Sequence, residues 1–122
     1  MTDEYQLTND WFTSHKPAWR RLLQKFKPRR ILEIGSYEGA CTCFVLDTLQ
    51  GIEGVEVYCV DSWLGGIEHS SINMPEVEKR FDSNVSRALA KHGPNTKAIK
   101  LKGFSNDRML HLLAEGHTGT FD

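Results

Sequence analysis

Apolar positions recur along this chain first at helical and then at strand spacing, and each change of period marks an element. Trp19, Leu22, Leu23 and Phe26 are spaced for one helix face, Pro17 suits a first turn, and Lys27-Pro28 ends the run. The pattern predicts a helix from Pro17 to about Phe26. Arg30 to Ile34 is short and rich in Ile and Leu, as in a strand covered on both faces. A helix from about Gly39 to Leu49 should bury Phe44, Val45 and Cys41, and Gly51 to Gly54 reads as a turn. Val55 to Val60 is a second strand, ending at Asp61.

A polar loop, "DSWLGGIEHSSIN", leads to a helix with clear signals at both ends. Asn73 with Glu76 forms a capping box, Pro75 fits the first turn, and Gly93-Pro94 stops the helix. Val77, Phe81, Val85, Ala88 and Leu89 make its apolar stripe. Ala98 to Leu101 reads as a third strand and "GFSND" as a turn. Arg108 to Ala114 reads as a last helix, with Ser105 or Asn106 as its cap. Strands alternating with helices predict an α/β protein with a parallel sheet and right-handed crossovers. The division expected is a helical segment over 1–29 and a nucleotide-binding unit over 30–122.

Composition narrows this only a little. The 122 residues carry a formal net charge of −1 and are 39% hydrophobic, as in an ordinary globular domain. No apolar run reaches membrane-span length, and the polar start "MTDEYQLTND" is no signal peptide, so a cytoplasmic location is expected. Cys41, Cys43 and Cys59 lack zinc-site or disulfide-framework spacing and read as reduced and buried. His15, His92, His111 and His117 fall in separate elements, so no metal site is expected. Residues 1–30 hold seven Lys and Arg against three acids, yet the basic residues fall between the apolar positions of one helix. That is a solvated face rather than a nucleic-acid surface, since no base-stacking aromatics interleave with it.

The candidate chemistry gathers where parallel sheets bind ligands, beyond the carboxyl ends of the strands. Gly35 and Gly39 follow strand one, Asp61 follows strand two, and "GFS" follows strand three. Glycine there allows a sharp turn and a close ligand. A carboxylate at Asp61 can accept both hydroxyls of a ribose, although an Asp opening a loop is also common. The dinucleotide pattern G-x-G-x-x-G is absent: Tyr37 and Glu38 stand where a pyrophosphate wants small residues, and the Glu38 carboxylate would repel it. A nucleoside joined to a zwitterionic amino acid suits this turn better than NAD.

"LEIGSYEGACT", "VYCVDSW", "KRFDSNV" and "LKGFSNDRMLHLL" together resemble the class I S-adenosylmethionine-dependent methyltransferases, nearest the small-molecule subgroup with E-x-G-x-x-x-G after strand one. The resemblance implies a Rossmann-like sheet with strand order 3-2-1 and S-adenosyl-L-methionine as cofactor. Glu33, Gly35, Ser36, Tyr37 and Gly39 would surround its methionine part. Asp61, with Ser62 beside it, would bind the ribose, and Phe104 and Ser105 would lie near the adenine. Trp63 is either an apolar wall over that ring or a loop aromatic filling a core edge.

The implied reaction is displacement at the sulfonium methyl by a small-molecule acceptor. Glu68 and His69 are the candidate bases, against the simpler reading of His69 as an exposed loop residue. Relatives begin a fourth strand where this sequence reads "GTFD", so the resemblance also implies an N-terminal part that binds cofactor without efficient turnover. Strand one would then have an open edge, and a homodimer is expected there. Two other functions share the pattern: a nicotinamide-dependent oxidoreductase domain and a non-catalytic, self-associating module.

Overall fold

The structure, a computed structural model, describes residues 4–65 and 71–122. Its helices and strands alternate as α1 (Lys16–Phe26), β1 (Arg30–Ile34), α2 (Ala40–Thr48), β2 (Glu56–Asp61), α3 (Met74–His92), β3 (Lys97–Lys102) and α4 (Ser105–Ala114), with a short 3-10 turn at Thr13–His15 before α1. The strands form one parallel sheet in the order β1-β2-β3, a partial Rossmann-like architecture. Leu32 lies opposite Tyr58, and Tyr58 opposite Ile99.

Side-chain alternation gives the sheet two unlike faces. Val57 and Cys59 point into the main core, where they meet Cys43, Leu46, Val77, Phe81 and Ala88 of α2 and α3. Leu32 and Tyr58 point the other way, toward α4, His117 and Phe121. That second face is thinly covered: α4 buries only Leu112, while Leu110 and Leu113 stay exposed.

Local signals explain most boundaries. Pro occupies the first turn of α1, and Lys27 ends the helix in left-handed backbone, donating its N–H to Leu23 O at 2.8 Å. The four-residue stripe predicted for α1 is not buried as a unit, because only Leu23 packs inward while Trp19, Leu22 and Phe26 are exposed. Asn73 Oδ1 accepts the Glu76 N–H at 3.2 Å, and Gly93 ends α3 at φ +82. Strand β3 is longer than the apolar run Ala98–Leu101, since pairing with β2 carries it from Lys97 to Lys102. Helix α4 starts at Ser105 rather than Arg108. Phe104 holds its N-cap position in extended backbone, its carbonyl accepting the Arg108 N–H, so neither Ser105 nor Asn106 is the cap.

Strand β1 lies at one sheet edge. Its first rung there is taken by Asp122, whose N–H donates to Arg30 O at 2.7 Å and whose Oδ2 accepts the Arg29 and Arg30 N–H groups. Those donors hold the Asp122 carboxyl below the usual carboxylate range.

Candidate functional site

The turn after β1 carries the site. Gly35 donates its N–H to Val60 O at 2.8 Å and bends the chain at φ +86, and a side chain added there would meet nothing within 4 Å. Gly39 is also left-handed, at φ +83, for a different reason. A Cβ on it would lie 3.2 Å from Phe81 and 3.5 Å from Val85, so Gly39 is required by the packing of α2 on α3.

Between the two glycines, Tyr37 holds φ +49 and is gripped from the end of β2. Its N–H donates to Asp61 Oδ2 at 2.9 Å, and its carbonyl accepts Trp63 Nε1–H at 2.8 Å. Asp61 Oδ1 accepts the Trp63 N–H at 2.8 Å, and the Asp61 carbonyl accepts the Gly103 N–H at 2.9 Å. Asp61 thus ties the ends of all three strands together. Each of its oxygens keeps further acceptor capacity for a ligand hydroxyl.

Gly35 lines two small cavities. One, of about 240 Å³, lies between Ser36, Tyr37, Ala40 and Cys41 on one side and the amino-terminal residues Asn9, Trp11, Phe12 and His15 on the other. The second, of about 210 Å³, lies toward β3 among Ile34, Asp61, Ser62, Gly103, Phe104 and Ser105. Ser36 lines the first cavity, and its buried hydroxyl lies beside the Glu33 carboxyl.

Glu33 lies behind this turn, and its Oε1 accepts the Thr42 hydroxyl at 2.6 Å. Burial holds its carboxyl above the usual carboxylate range, with Asp61 adding to the rise and the nearby Ser36, Thr42 and Cys41 opposing it. Burial also pushes the Cys59 thiol up to about 12, and Cys41 and Cys43 in the same direction. Cys43 and Cys59 are buried as expected, whereas Cys41 is only half-buried at the edge of the first cavity. Among the described residues, no group of three or more His, Cys, Asp or Glu could hold a metal ion, and no helix is long and apolar enough to cross a membrane.

Several expectations therefore change. Trp63 is only 2% exposed, and its ring lies 4.8 Å from that of Phe81 at a tilt of 49°, so it fills the core edge. Glu38 lines the first cavity, where its carboxylate is already engaged. It is buried against Thr8 and Arg80, with Arg80 Nε 2.6 Å from its Oε2. Phe104 is exposed at the rim of the second cavity. Glu68 and His69 lie outside the described residues. The amino-terminal wall was not anticipated residue by residue: "NDWF" offers two aromatics beside polar groups, but no spacing that assigns them to the turn after β1.

Compared with protein-family models, with curated proteins and with solved structures, the chain matches none. What the structure establishes is the architecture, a partial Rossmann-like parallel sheet.

Proposed function

We propose that this chain binds S-adenosyl-L-methionine across the Gly35 turn, as the cofactor-binding part of a methyltransferase for a small-molecule acceptor. One observation carries the reading: Gly35 is open above its Cα and lines two cavities of different character. A bent ligand with an amino-acid end and a nucleoside end fits that division. The amino-acid end would take the cavity with the Ser36 hydroxyl and the start of α2, where the helix dipole favours a carboxylate. The ribose would meet Asp61, and Phe104 and Ser105 would border the base.

The cofactor supplies an activated methyl group. The chain supplies binding and orientation, and the alignment of the reacting atoms is a large part of such catalysis. An acceptor pocket is not identified among these residues, so binding without efficient turnover is the expected behaviour.

Calorimetric titration with S-adenosylhomocysteine tests the reading. The wild type should bind it, and Gly35→Val, which fills the open space, should not. Asp61→Ala is a poor probe because it also frees the Tyr37 and Trp63 N–H groups. A 2′-deoxyribose analogue removes the same contact from the ligand side and should bind about tenfold more weakly. Binding of NAD in preference to S-adenosylhomocysteine would favour the oxidoreductase reading, and no binding of either would favour the non-catalytic one.

A further inference from the structure

Several polar residues beside the site, Glu38, Asn84 and Asp47 among them, bind the amino-terminal segment. Glu38 accepts the Thr8 N–H at 3.0 Å and the Thr8 hydroxyl at 2.7 Å. Asn84, buried on α3, accepts the Gln6 N–H at 2.7 Å and donates to the carbonyls of Gln6 and Glu38 at 3.1 and 2.9 Å. Tyr5 donates its hydroxyl to Asp47 at 2.7 Å, and Lys91 bridges Glu4 and Asp47. The segment then places Trp11 against Tyr37, with ring centroids 5.0 Å apart, and Phe12 against Phe44 at 5.3 Å.

We propose that residues 4–12 are a detachable wall of the first cavity, latched to the turn after β1 by Glu38, so that docking of the segment and occupancy of the cavity favour one another. The attachment combines a chain of hydrogen bonds with two aromatic contacts. Leu7 and Trp11 are already exposed, whereas Tyr5 and Phe12 pack against the core, so release costs those two apolar contacts as well as the polar ones. On release Glu38 keeps Arg80 as its partner and Lys91 keeps Asp47, so neither is left without one. The segment lies before the first helix and outside the sheet, so it can open locally at a fraction of the global unfolding energy.

Coupling follows from the lining. Asn9, Trp11, Phe12 and His15 supply one wall, and Gly35, Ser36 and Tyr37 the other. A ligand touching both walls binds the docked form more tightly and shifts the population toward it. This coupling rests on the cofactor reading above, whereas the latch itself does not.

Hydrogen exchange on the whole chain, read by mass spectrometry, tests both. Without ligand, residues 4–12 should exchange through local opening, faster than β2. Thr8→Val and Tyr5→Phe should each raise that exchange, by up to about tenfold for one lost hydrogen bond, with β2 and α3 unchanged. Segment exchange that tracks β2, or that neither variant alters, overturns the latch. With S-adenosylhomocysteine bound, exchange of residues 4–12 should slow in the wild type, and binding with no slowing overturns the coupling. Failure of the wild type to bind it sinks the cofactor reading, and the ligand-free comparison still decides the latch.

Discussion

Trp63 Nε1 donates to the carbonyl of Tyr37 at 2.8 Å, and both residues hold left-handed backbone, at φ +52 and +49. Side chains other than glycine cost about 1–2 kcal/mol in that conformation. Here the two strained residues stabilise each other, with Asp61 bonded to the N–H of both. Strain of this kind persists where its surroundings over-determine it, and it gathers at functional sites.

Trp63→Phe should keep most of the stacking on Phe81 while removing the indole donor. The Tyr37 carbonyl then loses its partner, and the expected loss is about 1–2 kcal/mol in urea unfolding. Trp63→Ala also opens a cavity beside Phe81 and should lose about 3–5 kcal/mol. Equal stability of Trp63→Phe and the wild type would mean that the hydrogen bond does not hold the turn.

The two glycines of the turn should respond differently to alanine. Gly39→Ala combines left-handed strain with a methyl pressed on Phe81 and Val85, and should destabilise more than Gly35→Ala, which meets only the strain. Thermal unfolding ranks them. The reverse order would contradict the open space above Gly35.

Arg80 and Glu38 form a pair with the carboxylate side chain only 2% exposed. Arg80→Met leaves that buried charge with Thr8 alone and should lose about 3–5 kcal/mol. The double variant Glu38→Gln, Arg80→Met should recover part of it, because no charge is then buried. A double variant as unstable as the sum of the singles would show that the pair is not coupled.

The contrast between the glycines also shows what the sequence made legible. Alternating runs such as "RILEI" and "VYCV" were enough for the parallel sheet, because covered strands need continuous apolar residues. Caps at Asn73 and Gly93 marked α3. Tertiary choices were not legible. Nothing local says that Gly39 serves Phe81, that Trp63 turns inward, or that Glu38 binds Thr8 thirty positions away. Each depends on which helices cross above the turn, and a single sequence does not encode that crossing in any short pattern.

Glu33 predicts a pH dependence. Its carboxyl is raised on folding, first by burial and then by Asp61. A raised acid binds its proton more tightly in the folded than in the unfolded chain, so its contribution falls as pH rises from about 4.3, the solvated value, through the folded value. Glu33→Gln keeps an acceptor for the Thr42 hydroxyl and carries no charge. The stability difference between Glu33→Gln and wild type should therefore grow in favour of the variant as pH rises from 4.3 toward 7. A difference that is flat with pH would show that Glu33 titrates normally.

The open edge of β1 predicts self-association. Asp122 closes only the rung at Arg30, and strand alternation turns the backbone groups of Leu32 and Ile34 toward the same edge. Apolar surface flanks that edge on both faces of the sheet. Trp19, Leu22 and Phe26 of α1 lie on one side, Met109, Leu110 and Leu113 of α4 on the other, and Ile34 is itself half exposed. The opposite edge differs: β3 carries Lys97, Lys100 and Lys102, which discourage strand pairing. A second copy meeting the β1 edge would cover bare rungs and both apolar flanks at once. Sedimentation should show a concentration-dependent dimer at micromolar protein. Leu32→Pro abolishes an edge donor and would also disturb the strand, so the sharper variant is Leu110→Lys with Leu113→Lys on the exposed face of α4. These should weaken the dimer and leave the fold intact by circular dichroism. A wild type that stays monomeric at that concentration removes the edge as a site of self-association.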